Sequence, residues 1–339
     1  MTHPPPKKGN TTRNMHYLPQ CYLKGFAAAP SKNSQLHVFD MKKDCWFSTI
    51  PRNVGARRDF LRVNIPGQQP DMVEGILSDY ETRMDTILST MREAQQMPTG
   101  EDYGHLIGLV ALIGVRNPLV RQNLNRFQTE VLDLIAQMQV GTKERYEAGV
   151  ENVQEAGRAP GPPVSYEDML KFIDDKQYKV EIENTLSVSN EFKLWPTITQ
   201  LLLDRKWALV IAGKGANFVS SDHPVSLTWS DPKFKRGYYH PGFGMSSTEV
   251  VFPVTKEMAL IGTYEGENRT VRTTPFVVAS INSRIISNTD YQIYSPRPEF
   301  AFLGGDDQIY PSGRLQEFLR RVPAFKVAPE GPALDTKQK

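Results

Sequence analysis

Residues 99–118, TGEDYGHLIGLVALIGVRNP, decide the fold. Leu106, Ile107, Leu109, Val110, Leu112, Ile113 and Val115 leave almost no polar face, so a helix here is buried on nearly every side and sits at the centre of the core. Thr99 and Asp102 have the spacing of a capping box that opens it. Pro118 has no N–H for the helical ladder, so the helix stops or kinks near Arg116 and Asn117, and an amphipathic helix resumes from Leu119 to Val140.

Working outward, Val73, Ile76, Leu77, Tyr80, Met84, Ile87, Leu88 and Met91 recur at three and four, and Asp71 with Glu74 resembles a second capping box. Residues 35–39 and 46–50 alternate apolar with polar across a polar turn, the pattern of a hairpin. Residues 141–163 are polar and rich in Glu, Gly and Pro, with a helix expected over Glu144–Glu155. Ser165 caps a helix to about Asp175, and Glu191–Leu203 forms another. The second half changes character: 207–212, 218–220, 248–254 and 258–264 are short runs punctuated by Gly, Pro and Asp, which suit strands. A helix over 276–287, a strand over 291–294 and a short helix over 312–321 complete the reading. The expected fold class is α+β, a helical core with a short mixed or antiparallel β-sheet. The expected organisation is one domain over 15–325, with a polar excursion at 141–164 and disordered ends at 1–14 and 326–339.

The 339 residues carry 40 basic and 38 acidic side chains, a formal charge of +2, so any nucleic-acid contact must come from a local patch. Two cysteines without C-x-x-C spacing supply neither a thiol zinc site nor a disulfide framework. No run approaches the roughly 20 apolar residues that span a bilayer, and no apolar leader opens the chain, so a cytoplasmic protein with no membrane partner is expected. P-loop, dinucleotide, H-E-x-x-H and G-x-S-x-G signatures do not occur.

Two segments stand out, His16-Tyr17-Leu18-Pro19-Gln20-Cys21-Tyr22-Leu23-Lys24-Gly25-Phe26 and Ser220-Ser221-Asp222-His223-Pro224-Val225. The first resembles the H-Y-x-P-Q-x-Y-L-x-x-F opening of a mainly bacterial family of domains of unknown function, DUF4238, and the second resembles its S-D-x-P-V turn. Glu81 and Arg116-Asn117-Pro118 stand where the resemblance places the family's E and R-x-P signatures, and Phe252-Pro253-Val254-Thr255 resembles its P-L-T step. Cys21 replaces a common aromatic and Val254 a leucine. The resemblance runs from about His16 to Tyr294 and implies no particular activity.

On their own merits, four residues are the catalytic candidates. His16, fixed by the Tyr-Leu-Pro step, suits a general base or a metal ligand, or else a buried tether for the N-terminus. Asp222 suits a loop ligand or base, or an Asx-turn. Glu81 and Arg116 make either a structural ion pair or a carboxylate beside an anion clamp. Gln20, Asn282, Lys235 and Arg236 are the substrate-binding candidates, the last two from a cationic and aromatic loop, 233–240, that suits single-stranded nucleic acid or is an ordinary solvated loop. His223 is expected at the surface. Together these residues allow a nuclease-like hydrolase, with or without a divalent cation such as Mg²⁺ or Mn²⁺. They equally allow a non-catalytic sensor or binding module for nucleic acid or another anion in a bacterial defence or toxin setting. The third reading is a structural polar network. Oligomeric state is left open.

Overall fold

A computed structural model describes residues 13–158, 161–231, 233–234 and 240–321. The chain opens with β1 (Asn14–His16), α1 (Gln20–Leu23), the hairpin β2 (Leu36–Asp40) and β3 (Cys45–Thr49), and β4 (Ala56–Arg58). A helical stretch follows: α2 (Met72–Ala94), α3 (Gly100–Val115), α4 (Pro118–Gln139), α5 (Lys143–Glu155), α6 (Tyr166–Asp174) and α7 (Asn184–Leu203). Then come β5 (Lys206–Ile211), β6 (Ser220–Ser221), β7 (Ser226–Trp229), β8 (Thr248–Thr255), β9 (Met258–Thr263) and β10 (Arg269–Arg272). The last elements are α8 (Pro275–Asn288), β11 (Gln292–Ser295), β12 (Ala301–Leu303), β13 (Ile309–Pro311) and α9 (Leu315–Arg321).

The fold is α+β. A five-stranded sheet has the order β10-β5-β9-β8-β7, with only the β10–β5 pair parallel, and a four-stranded antiparallel sheet has the order β3-β2-β11-β6. The expected hairpin is present, with Phe39 opposite Trp46. Every residue of α3 from Leu106 to Val115 is buried. The helix ends at Val115, and α4 leaves at a bend of 57° with Pro118 at its first turn. Asn117 makes the junction: its Oδ1 accepts from the N–H of Leu119 at 2.8 Å and of Val120 at 3.4 Å, satisfying donors that the new helix would leave bare. Neither expected capping box forms, because no side-chain bond joins Asp71 or Thr99 to its helix. Asp71 is held at φ −105°, ψ 13°, outside the extended region from which a cap reaches back.

Two glycines are required by close approach. Gly55, at φ +66°, lets its carbonyl receive the N–H groups of Tyr17 and Leu18 at 2.8 and 3.1 Å, docking the first segment on β4. A Cβ on Gly262 would stand 2.7 Å from the Trp207 ring. Among the described residues no single helix is long and apolar enough to cross a membrane. The expected disordered ends fall mostly outside the described residues, but Arg13 pairs with Asp59 and Asn14 lies in β1.

Candidate functional site

The segment from His16 to Phe26 is pinned from both ends. Tyr22, wholly buried, shares a 2.7 Å hydrogen bond with Ser220 Oγ, donates to the Pro253 carbonyl at 3.0 Å, and stacks on Phe252 at 5.1 Å. One phenol thus ties the opening segment to β6 and β8. Met15, Leu23 and Phe26 fill the core around it.

Successive side chains on an extended segment point to opposite sides, and His16 and Tyr17 face different polar groups. On the His16 side, Nε2 bonds the Arg52 carbonyl at 3.1 Å and Nδ1 meets Gln20 Nε2 at 3.5 Å. The Gln20 backbone N–H donates to Glu81, and Arg116 acts electrostatically on both His16 and Glu81. His16, Gln20, Glu81 and Arg116 therefore converge. His16, Gln20 and Glu81 are half-buried, whereas Arg116 is only 1% exposed. Burial lowers the pKa of His16, which keeps the imidazole neutral, and raises that of Glu81 against the opposing pull of Arg116.

Arg116 is the unusual member. Its Nε donates to the Tyr17 carbonyl at 3.3 Å, but Nη1 and Nη2 are buried and have no hydrogen-bond partner among the described residues. Of the two alternatives for Glu81 and Arg116, the ion pair is therefore not made by contact. Glu81 and Glu191 hold the guanidinium only through space, while burial pulls its pKa down. Five residues on, Arg121 binds Glu191 through two bonds of 2.5 and 2.8 Å, donates to the Phe60 carbonyl and to Asn184, and lies 3.5 Å over the Phe60 ring. Arg121 and Glu191 are not among the candidates that the sequence motifs single out. The signal was there: Glu191 lies in the stripe of Val188 and Trp195, and a carboxylate in an apolar stripe needs a partner.

On the Tyr17 side lies Asp222. Its carboxylate accepts from the backbone N–H of Asp290 at 3.0 Å and of Tyr291 at 2.7 Å, and its own N–H donates to Gln292. It builds a turn between α8 and β11, 68 and 69 residues away, not its own turn. The local turn is held by Ser221, whose Oγ accepts from the His223 N–H at 3.1 Å. Burial lifts the pKa of Asp222 to about 7, with the backbone N–H groups opposing. The Asp222 carbonyl accepts from Asn117 Nδ2 at 2.7 Å, so the turn abuts the residue after Arg116 while its carboxylate faces elsewhere. His223, expected at the surface, is half-buried, and burial lowers its pKa to about 4.

Asn282 is fully buried, and its amide is committed to backbone: Oδ1 accepts from Val219, and Nδ2 donates to Asn217 and Ala301. It splices α8 to the strands and has nothing to spare for a substrate. Lys235 and Arg236 lie outside the described residues. Among the described residues no group of three or more His, Cys, Asp or Glu is placed to hold a metal ion. Grooves of about 660 Å³ beside Gln95 and Arg272, and about 450 Å³ beside Phe172, share no residue with the cluster.

Residues 14–299 match the family described as Protein of unknown function (DUF4238). The chain belongs to that family. No curated protein and no solved structure matches it. For a DUF4238 member, activity must then be argued from the cluster itself.

Proposed function

We propose that the protein binds an anionic ligand, with Arg116 as the receptor and His16, Gln20 and Glu81 as the rim through which the anion enters. The observation that carries this reading is the buried guanidinium whose Nη1 and Nη2 have no partner among the described residues. Removing a cation from water costs several kcal/mol unless bonds replace the lost hydration. Arg121 shows how this chain satisfies such a group when only structure is at stake. Arg116 keeps two nitrogens in reserve, in the forked geometry that suits a carboxylate or phosphate. The contact of 3.5 Å between His16 and Gln20 is the loosest in the cluster, and both side chains are half-buried.

A second, catalytic reading as a nuclease-like hydrolase rests on the convergence of His16 and Glu81 beside Arg116. His16 is held neutral and Glu81 is biased toward its protonated form, which pairs a base with an acid beside an anion clamp. Asp222 is not part of that pairing, because its carboxylate is engaged by backbone N–H groups.

Thermal-shift measurements with inorganic phosphate, nucleoside mono- to triphosphates and short RNA test the binding reading. Stabilisation by at least one phosphate-bearing probe is expected, and about 1.4 kcal/mol should appear at ten times Kd. A flat response to all of them would remove it. The same probes incubated with Mg²⁺ or Mn²⁺ separate the readings: unchanged probe means a binder, whereas cleavage that His16→Ala abolishes means a hydrolase.

A further inference from the structure

Helix α4 is amphipathic, but it is turned inside out. Its protein-facing side is Arg121, Asn125, Thr129, Ala136 and Val140. Arg121 holds Glu191, Asn125 Oδ1 accepts from Ser187, and the Val140 carbonyl accepts from Tyr166. Diametrically opposite run Val120, Leu124, Phe127, Val131, Leu134 and Met138, at steps of four, three, four, three and four. Phe127 is 62% exposed, Leu134 56% and Met138 51%, with Ile135 beside them at 46%. This 3-4 repeat is the seam of a helix that pairs with another helix; among the described residues its first two members, Val120 and Leu124, are half-buried, and it is exposed from Phe127 to Met138.

We infer that this stripe pairs with α4 of a second copy of the chain, forming an antiparallel homodimer. Spacing and charge both favour that occupant over a lipid surface. An interfacial membrane helix needs basic residues along its polar face but no heptad repeat. Here the exposed charges beside the seam are Arg126 and Glu130, which pair with each other and sum to zero. Asn123, Gln128 and Gln137 supply an uncharged polar margin. The exposed fractions of Phe127, Val131, Leu134, Ile135 and Met138 amount to roughly 500 Å² of apolar side chain, a patch of the size that is often functional, and its polar margin would bring it toward the ~800 Å² per partner of a standard interface. In the antiparallel register that sets Phe127 against Val131 of the partner copy, Leu124 meets Leu134 and Val120 meets Met138. One two-fold operation then satisfies the whole seam.

Sedimentation-velocity measurements on the full chain, from low to high micromolar concentration, test this. The wild type is expected to sediment at twice the chain mass. Leu134→Glu and Phe127→Glu, each with unchanged circular dichroism, are expected to return it to the monomer, and Phe127→Leu to remain dimeric. A wild-type monomer at every concentration would overturn the proposal. So would a dimer that survives both charged variants, or a monomer that binds anionic vesicles through this stripe. Shortening the chain after Arg321 identifies the remaining occupant: a stripe covered by the chain's own C-terminal residues would become dimeric only in the shortened form, and that result also overturns it.

Discussion

Arg116 and Arg121 stand five residues apart, on either side of the break between α3 and α4, and both are buried. Arg121 spends its donors on one carboxylate, one carbonyl and one amide. Arg116 makes one bond to a carbonyl and leaves two nitrogens without a partner among the described residues. The chain can evidently satisfy a buried guanidinium in this region. The contrast separates a cation whose bonds are met within the fold from one that the described residues leave short of partners.

Four variants break or sharpen that contrast. Glu191→Ala leaves Arg121 an uncompensated buried charge, so it should cost about 3–5 kcal/mol in urea denaturation. A loss below about 1 kcal/mol would mean that the Arg121 pair is not structural. Asn282→Ala strands a buried N–H and two carbonyls, and a loss of about 2–3 kcal/mol is expected by the same measurement. Arg116→Met should change stability by no more than about 1 kcal/mol, since a volume-matched apolar group replaces an incompletely bonded charge. A loss as large as that of Glu191→Ala would instead mark Arg116 as structural.

A separate effect is in pH dependence. Asp222 has a raised folded pKa, so its contribution is present at low pH and is lost as pH rises from about 4 to about 7. His223 has a lowered folded pKa, so its contribution is present above about 6.5 and is lost as pH falls toward about 4. His16 is shifted in the same sense as His223. Between these limits the slopes oppose, and wild-type melting should vary little. Asp222→Asn removes one slope, and its melting temperature should rise with pH from 4 to 6.5. Parallel curves for variant and wild type would contradict this assignment.

Much of the fold was legible because burial imposes periodicity. The all-apolar run before Pro118, the stripe of α2 and the alternation of β2 and β3 each have one packing solution. The capping boxes misled, because a spacing of three fixes neither the backbone angles, which are wrong at Asp71, nor the side-chain bond, which Thr99 does not make although its backbone is extended. Helix α7 starts at Asn184, seven residues before the expected Glu191, since Asn184 is held by the carbonyls of Asp59, Phe60 and Arg62. β10, Arg-Thr-Val-Arg, was passed over because a short exposed edge strand carries little apolar alternation. In the cluster, His16, Gln20, Glu81 and Arg116 came together as four residue types whose burial demands partners. Asp222 could not be placed from sequence, since its acceptors are used by N–H groups nearly seventy residues away. Nor does the amphipathic pattern of α4 say which face turns inward.

If Arg116 is a receptor, replacing it should remove ligand response and leave stability nearly unchanged. The most direct measurement follows the melting of Arg116→Met with and without inorganic phosphate, beside the wild type. A receptor role predicts a variant that melts within a few degrees of the wild type and has lost its response to phosphate. A variant that melts far lower, yet is stabilised by phosphate as much as the wild type, would contradict it.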